Sequence, residues 1–462
     1  MKRIAASNSD DRVASETPSS VAPKRSRLRN VTSILGMTVL VQSIGLVTGA
    51  ITARMLGVSG RGLLAAMTVW PSAIANAGDL GGPIAFTYQS AKSPVVRGSL
   101  VRNALTIAFL QSVALTLIGI PIMAFVLRDH PEHLLAAAVF LVLFMPLNLL
   151  GRYFMALHQG AQDFKLFNRV RLVLALSYAI GIGSLLAFGV NSVAPVIAAV
   201  VASNICATIV ASTGLKLRDS LRRRFDRPLA RETFVFGAKA HIGNLTPVDS
   251  LQLDVALVVL LLGTHAAGLY VVGTSAANVI RSQGAGIGLV ALASVASSTT
   301  RQQPAVIGVF FKGAAVLLVG AAATVFLLAG ELVPAIYGSE FDGAVPIVRI
   351  LVIGIVAAAL RQVLGDCLRG AGNPVAGTLA EALSWVVAIV SLVILVPTLG
   401  AQGAALAVSI SYFSALLLLV FLARSVGVAA SDLLIPRRSD AAFFWHALSS
   451  RIIMRSADRT PE

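Results

Sequence analysis

Apolar residues in this 462-residue chain gather into long runs separated by short polar breaks. A helix needs about 20 apolar residues to cross about 30 Å of hydrocarbon, so each run predicts a membrane span. Twelve spans are predicted, at 31–53, 62–89, 103–127, 134–157, 166–188, 192–213, 233–262, 267–290, 306–329, 344–366, 376–397 and 401–423. Three are interrupted by helix breakers: Pro71, Gly78, Gly81, Gly82 and Pro83 in the second, Pro247 in the seventh, Gly284 and Gly286 in the eighth. Lipid tolerates a broken helix only where the freed backbone groups face protein or a watery cavity, so these breaks are expected to face inward.

The pattern also repeats. "LGVSGRGLLAA" from Leu56 and "LGTHAAGLYVV" from Leu262 match at Leu56/Leu262, Gly57/Gly263, Gly62/Gly268 and Leu63/Leu269, each 206 residues apart. After the fourth and tenth spans, "LHQGAQDF" and "LRGAGNPV" align Gly160-Ala161 with Gly370-Ala371 at an offset of 210, and Gly189 aligns with Gly400 at 211. Anchors at nearly constant offset, each at the same place in a six-helix count, indicate duplication. Two halves of even span number insert the same way up and are related by an axis along the membrane normal, with a cavity between them. The expected fold is therefore an all-α integral membrane protein with twelve transmembrane helices in two six-helix lobes around a central cavity. The expected divisions are a disordered basic tail (1–29), a lobe (30–215), a basic linker (216–232), a second lobe (233–424) and a basic tail (425–462). In that last tail, Phe444, Leu448 and Ile452 at fourfold spacing beside Arg451 and Arg455 suit either an interfacial helix or an unstructured basic tail.

Composition agrees with the pattern: 56% of residues are hydrophobic and 13% charged, more apolar than soluble domains usually are. With both ends placed in the cytoplasm, 31 of the 37 Lys and Arg residues fall on inside segments and only Arg54, Arg61 and Arg128 on outside ones. The positive-inside rule fixes that orientation. It also accounts for the net charge of +16 through anionic membrane lipids, without nucleic acid. No phosphate-binding loop and no Cys/His cluster is present, so no ATP hydrolysis, metal or cofactor is expected. An integral membrane glycosyltransferase would need carboxylates on a sizeable outside loop, and the acidic one here, with Glu331, Glu340 and Asp342, is short. A transporter rather than an enzyme is expected.

The segments "RMLGVSGRGLLAAMTVW" (54–70), "DLGGPIAFTYQSAK" (79–92), "CLRGAGNP" (367–374) and "LGAQGAALAVS" (399–409), in this order and on these helices, resemble the polysaccharide flippases of the multidrug, oligosaccharidyl-lipid and polysaccharide (MOP) exporter superfamily. The resemblance spans roughly residues 30–424. It implies alternating access, a monomer in the bacterial inner membrane, a lipid-linked oligosaccharide substrate of undecaprenyl-pyrophosphate type, and a place beside polymerase and glycosyltransferases of the same pathway. An exporter of small cationic drugs is the alternative on the same architecture. The first span lacks an ionisable residue before Arg54, so no ion-binding role is carried onto it.

Ionisable groups inside spans are costly and mark functional sites. Lys239, Gly243, Thr246 and Ser250 form one stripe on the predicted seventh helix, flanked by Asp249 and Asp254; Thr274, Asn278 and Arg281 form another on the eighth. The candidate cavity residues are Arg281, Lys239, Arg349, Asn278 and Thr246, and the candidate ion-coupling carboxylates are Asp79 and Asp254. Lys239 and Arg349 are also near enough to helix ends to snorkel. Arg281 lies deeper and suits a cavity role or a pair with Asp254. Asp79 could equally bond free backbone N–H groups at a helix break. Asp366 and Glu381 suit ordinary pairs with Arg369 and Arg361. Lys239, Arg281 and Arg349 against Asp79, Asp249 and Asp254 leave the charge count tied between an anionic and a cationic cargo.

Overall fold

The computed structural model describes residues 24–242, 246, 248 and 250–434. Asp249 and the expected interfacial helix at 440–455 lie outside the described residues. The described chain is helical, with no strand: α1 (Lys24–Gly78), α2 (Gly82–Lys92), α3 (Arg97–Val126), α4 (Leu134–Gly160), α5 (Phe164–Ala187), α6 (Val193–Ser212), α7 (Leu217–Leu221), α8 (Arg227–Ile242), α9 (Leu253–Ala296), α10 (Gln303–Tyr337), α11 (Val345–Gly370), α12 (Val375–Leu422) and α13 (Ala430–Leu434). Helix α1 begins at Lys24, so the "KRSRLR" run expected in the N-terminal tail is helical.

Among the described residues nine helices are long and apolar enough to cross a membrane. Three of them bend at a glycine of positive φ: α1 at Gly57 (φ 65°, ψ −178°), α9 at Gly263 (φ 78°, ψ −175°) and α12 at Gly400 (φ 62°, ψ −142°). Such backbone is open essentially to glycine alone. The bends at Gly57 and Gly400 divide α1 and α12 into the two arms that the twelve-span reading expects, whereas the arm of α9 before Gly263 covers only residues 253–262, too short to cross a bilayer. The seventh span departs from expectation. Instead of one helix over 233–262, α8 stops at Ile242 and helix resumes at Leu253. Pro247 removes a backbone donor within that stretch. Consequently Lys239, Thr246 and Ser250 do not share a helical stripe. In the eighth span, Gly284 and Gly286 leave the helix unbroken; Gly284 instead lets α9 lie flat on α11, where an added Cβ would come 2.7 Å from that of Ala359.

The repeat is visible in the geometry. Gly57 and Gly263 share one conformation, and Gly189 (φ 66°) matches Gly400. Helices α4 and α11 end alike: the amides of Ala161, Gln162 and Asp163 donate to Leu157, Gln159 and His158, as those of Ala371, Gly372 and Asn373 donate to Cys367, Arg369 and Leu368. Asp163 caps Leu166 as Asn373 caps Ala376. Gly160 presses on the Thr87 carbonyl as Gly370 presses on that of Leu292.

The two bent helices α1 and α9 meet reciprocally beside their bends. A Cβ on Gly62 would lie 1.6 Å from the Thr264 carbonyl oxygen, and one on Gly268 would lie 2.0 Å from that of Val58. The offset of 206 carries each half of this contact onto the other, which is what a pseudo-twofold axis through it requires. In lipid, helix association rests on close packing more than on hydrophobicity, and paired glycines permit the closest approach. Arg54 reinforces this turn end of the bundle by donating to the carbonyls of Ile336, at 2.9 Å, and Ala335. The opposite end, where α2, α3, α7 and α8 meet, is basic.

Candidate functional site

A cavity of about 350 Å³ lies between the lobes, below the glycine contact. Its walls include Arg61 and Thr68 from the second arm of α1, and Asp254, Thr274, Asn278 and Arg281 from α9. Asn278 and Arg281 thus stand where the polar stripe of the eighth span puts them, one helical turn apart. Asp254 is buried and its Oδ2 accepts from the Tyr270 hydroxyl at 2.8 Å.

Arg61 was expected among the outside loops and instead enters the cavity wall from the other lobe. The bend at Gly57 redirects the chain so that helix has resumed before Arg61. Its Nε is buried without a hydrogen-bond partner. A buried N–H without an acceptor is costly, and an anion entering the cavity could accept from it. The described cavity residues include two guanidinium groups, of Arg61 and Arg281, and the Asp254 carboxylate, which accepts from Tyr270.

The remaining candidates lie elsewhere. Lys239 is exposed on α8. Arg349 sits on the outer surface of α11, with its Nε 3.3 Å from the Phe326 carbonyl and its guanidinium 5.6 Å above the Phe326 ring. Thr246 lines a second cavity, of about 340 Å³, with Arg361 and Glu381. Arg361 pairs there with Glu381, and Arg369 with Asp366.

Asp79 forms a separate cluster at the break between α1 and α2. Leu80 (φ 51°) and Gly81 (φ 74°) turn the chain, and the Gly81 amide donates to Asp79 Oδ1 at 2.8 Å. The carboxylate is 4% exposed, 2.6 Å from Arg152 of α4 and 3.4 Å from Nδ1 of His241 of α8. Arg152 also donates to Asn76 Oδ1, whose amide reaches across to the Ser250 carbonyl, both at 2.6 Å. Asp79 thus serves the helix break and, in addition, joins the lobes.

Residues 27–293, more than half of the chain, match the family described as polysaccharide biosynthesis protein. The chain belongs to that family. No curated protein matches it in sequence. Among solved structures it is similar to lipid II flippase MurJ in an inward closed conformation, with a TM-score of 0.70, 13% identity, and coverage of 92% of this chain and 93% of that one. It is also similar to an inward-facing multidrug resistance MATE family transporter of the MOP superfamily (TM-score 0.65, 13% identity, 84% and 94% coverage). A third, a MOP superfamily transporter from Pyrococcus furiosus Vc1 described by the reverse polarity of its binding pocket, gives a TM-score of 0.59 at 11% identity, covering 86% of this chain and 96% of that one. At these identities the likeness establishes the fold. A multi-pass membrane protein with this architecture belongs to a polysaccharide biosynthesis family.

Sequence reasoning missed Arg61, Arg152 and His241. The repeat held a signal for the first two. At an offset of 206, Arg61 falls on Ala267; at 210, Arg152 falls on Gln362. A charge in one copy of an apolar motif with no counterpart in the other is a departure from duplication that structure alone does not demand.

Proposed function

We propose that the protein is a flippase for a lipid-linked oligosaccharide, carried by alternating access with its pyrophosphate held between Arg61 of one lobe and Arg281 of the other. The observation that carries this reading is the buried Arg61 Nε, without a protein partner, on the wall of a cavity that Arg281 also lines. A guanidinium can hold phosphate oxygens in pairs and stays charged when partly desolvated, so it suits a diphosphate leaving water. Groups from both lobes on one anion give the substrate a direct grip on the motion between lobes. Family membership and the flippase fold support the same assignment. The charge asymmetry supports an orientation with both termini in the cytoplasm, so that the sugar is loaded from the side on which nucleotide sugars are made.

The test is thermal stabilisation of the purified protein by a short-chain polyprenyl pyrophosphate and by tetraphenylphosphonium. The pyrophosphate is expected to raise Tm in the wild type and to lose most of that effect in Arg61→Gln and Arg281→Gln. Stabilisation by the cation alone would overturn the reading in favour of a cationic-drug exporter.

A further inference from the structure

We propose that His241 is a proton-binding site that fastens the two lobes to each other, whatever the cavity carries. Helices α2 and α8 run antiparallel along the basic side of the lobe interface and are joined at successive levels. The Tyr88 and Phe236 rings stack at 4.3 Å between centroids, and Lys92 pairs with Glu232 at 3.3 Å. Gly81 and Gly237 bring the backbones together, a Cβ on Gly81 falling 2.1 Å from the Gly237 carbonyl oxygen. His241 stands at the deep end of this seam, and its side chain is 14% exposed.

Both ring nitrogens of His241 face oxygen atoms of the other lobe. Nδ1 lies 3.4 Å from Asp79 Oδ1, and Nε2 lies 3.2 Å from the Ala77 carbonyl oxygen. A carbonyl oxygen only accepts. The Asp79 carboxylate is likewise placed as an acceptor, since Arg152 and the Gly81 amide both donate to it. Neutral imidazole carries one N–H and would turn a lone pair on one of these oxygens; imidazolium carries two and satisfies both. The protonated ring is the form that can donate to Ala77 and pair with Asp79 at the same time. Closing the seam takes up a proton and opening it releases one.

The other charged and titratable groups around this ring do not supply the switch. From the break after α1 comes Asp79, and from α4 come Arg152 and Tyr153, whose hydroxyl is 3.4 Å from the Asp79 carbonyl oxygen; α3 contributes the neutral Gln111, bonded to Tyr153. On α8 itself Lys239 is two residues away. Farther along, hydrogen bonds from Gln89 and Lys92 and the lysine's charge hold the Glu232 carboxyl below its usual range, so Glu232 keeps its charge through neutral pH. Histidine is the side chain that ordinarily changes charge between about pH 5 and pH 8. Linkage then gives the sign: a proton bound only in the closed seam favours closure at low pH, and the closed fraction falls as pH rises.

The experiment measures the distance between spin labels at Ala91→Cys and Arg231→Cys, two exposed positions on α2 and α8, in full-length protein in nanodiscs with Cys206→Ser and Cys367→Ala. The short distance is expected to dominate near about pH 5, with a longer one growing towards about pH 8, the ratio changing by up to about tenfold per pH unit for one proton. His241→Gln, which offers a single donor group, is expected to abolish the pH response. A wild-type distribution that does not change with pH, or a His241→Gln protein that keeps the wild-type response, would overturn the proposal. The labelled protein with His241 intact is the reference, and its transport activity and Tm are compared with those of the unsubstituted protein. Because no substrate is present, the result is independent of the pyrophosphate reading, which stands or falls on ligand stabilisation.

Discussion

The lobes of this protein touch in two different ways. At the turn end the contact is backbone on backbone and obeys the internal repeat, Gly62 on Thr264 answering Gly268 on Val58. At the basic end it is side chain on side chain and breaks the repeat: Asp79, Arg152 and His241 fall on Ala285, Gln362 and Leu35 in the other half. The first contact is what two copies of one ancestral half make by default, because a symmetric approach of two identical bends needs only small residues. The second had to be added to one copy. It is accordingly the contact that can respond to chemistry, whereas the glycine contact can only be packed or separated.

The glycine contact is where the largest effect is expected. A methyl group on Gly62 would sit 1.6 Å from a backbone oxygen, which no side-chain rotation relieves. Overpacking of this kind costs about 3 kcal/mol, and Gly62→Val more. If the contact is truly symmetric, Gly268→Ala should lower Tm by a similar amount. Gly320→Ala in α10, where nothing lies within 4 Å, should leave Tm unchanged or raise it. Unequal losses at Gly62 and Gly268, or a loss at Gly320, would break the pseudo-twofold account of this end.

Arg61 gives the next largest effect and separates stability from function. Removing one member of a buried ion pair destabilises, but Arg61 Nε has no partner to orphan. Arg61→Met is therefore expected to keep or raise Tm, because an apolar side chain replaces a buried N–H that has no acceptor. Affinity for a polyprenyl pyrophosphate should nonetheless fall by about tenfold to a hundredfold, the worth of a charge-assisted hydrogen bond. Loss of folded protein with affinity intact would make Arg61 a structural residue.

Much of this was legible in the chain. The apolar runs, the repeat and the glycines at both bends could be read directly, because membrane spans and positive-φ turns restrict sequence locally. Asn278 and Arg281 were placed by helical spacing. The misreadings share one cause: hydropathy cannot say where a helix bends or stops. Arg61 was assigned to a loop because the bend at Gly57 is tighter than composition suggests. Thr246 was given a place on a helical face because one span was read straight through the polar, Pro247-containing gap between α8 and α9. His241 drew no attention because its partners, Ala77 at the end of α1 and Asp79 just after it, lie more than 160 residues earlier.

The smallest expected effect sharpens the comparison by being null. Lys92 and Glu232 form the one ion pair of the α2–α8 seam whose members are both more than half exposed, at 54% and 55%. Exposed pairs gain little, because water screens the charges and two long side chains must be held in place. If the seam were a general electrostatic zipper, reversing or removing this pair would weaken it and salt would open it. If His241 carries the seam, with Asp79 shielded from solvent, Lys92→Ala should leave Tm and the pH dependence of the α2–α8 distance unchanged, and added salt should shift the midpoint little, since a buried pair is screened much less than an exposed one. A Lys92→Ala protein whose seam opens at low pH, or a wild-type seam that opens with salt at fixed pH, would move the switch from the buried histidine to the surface charges.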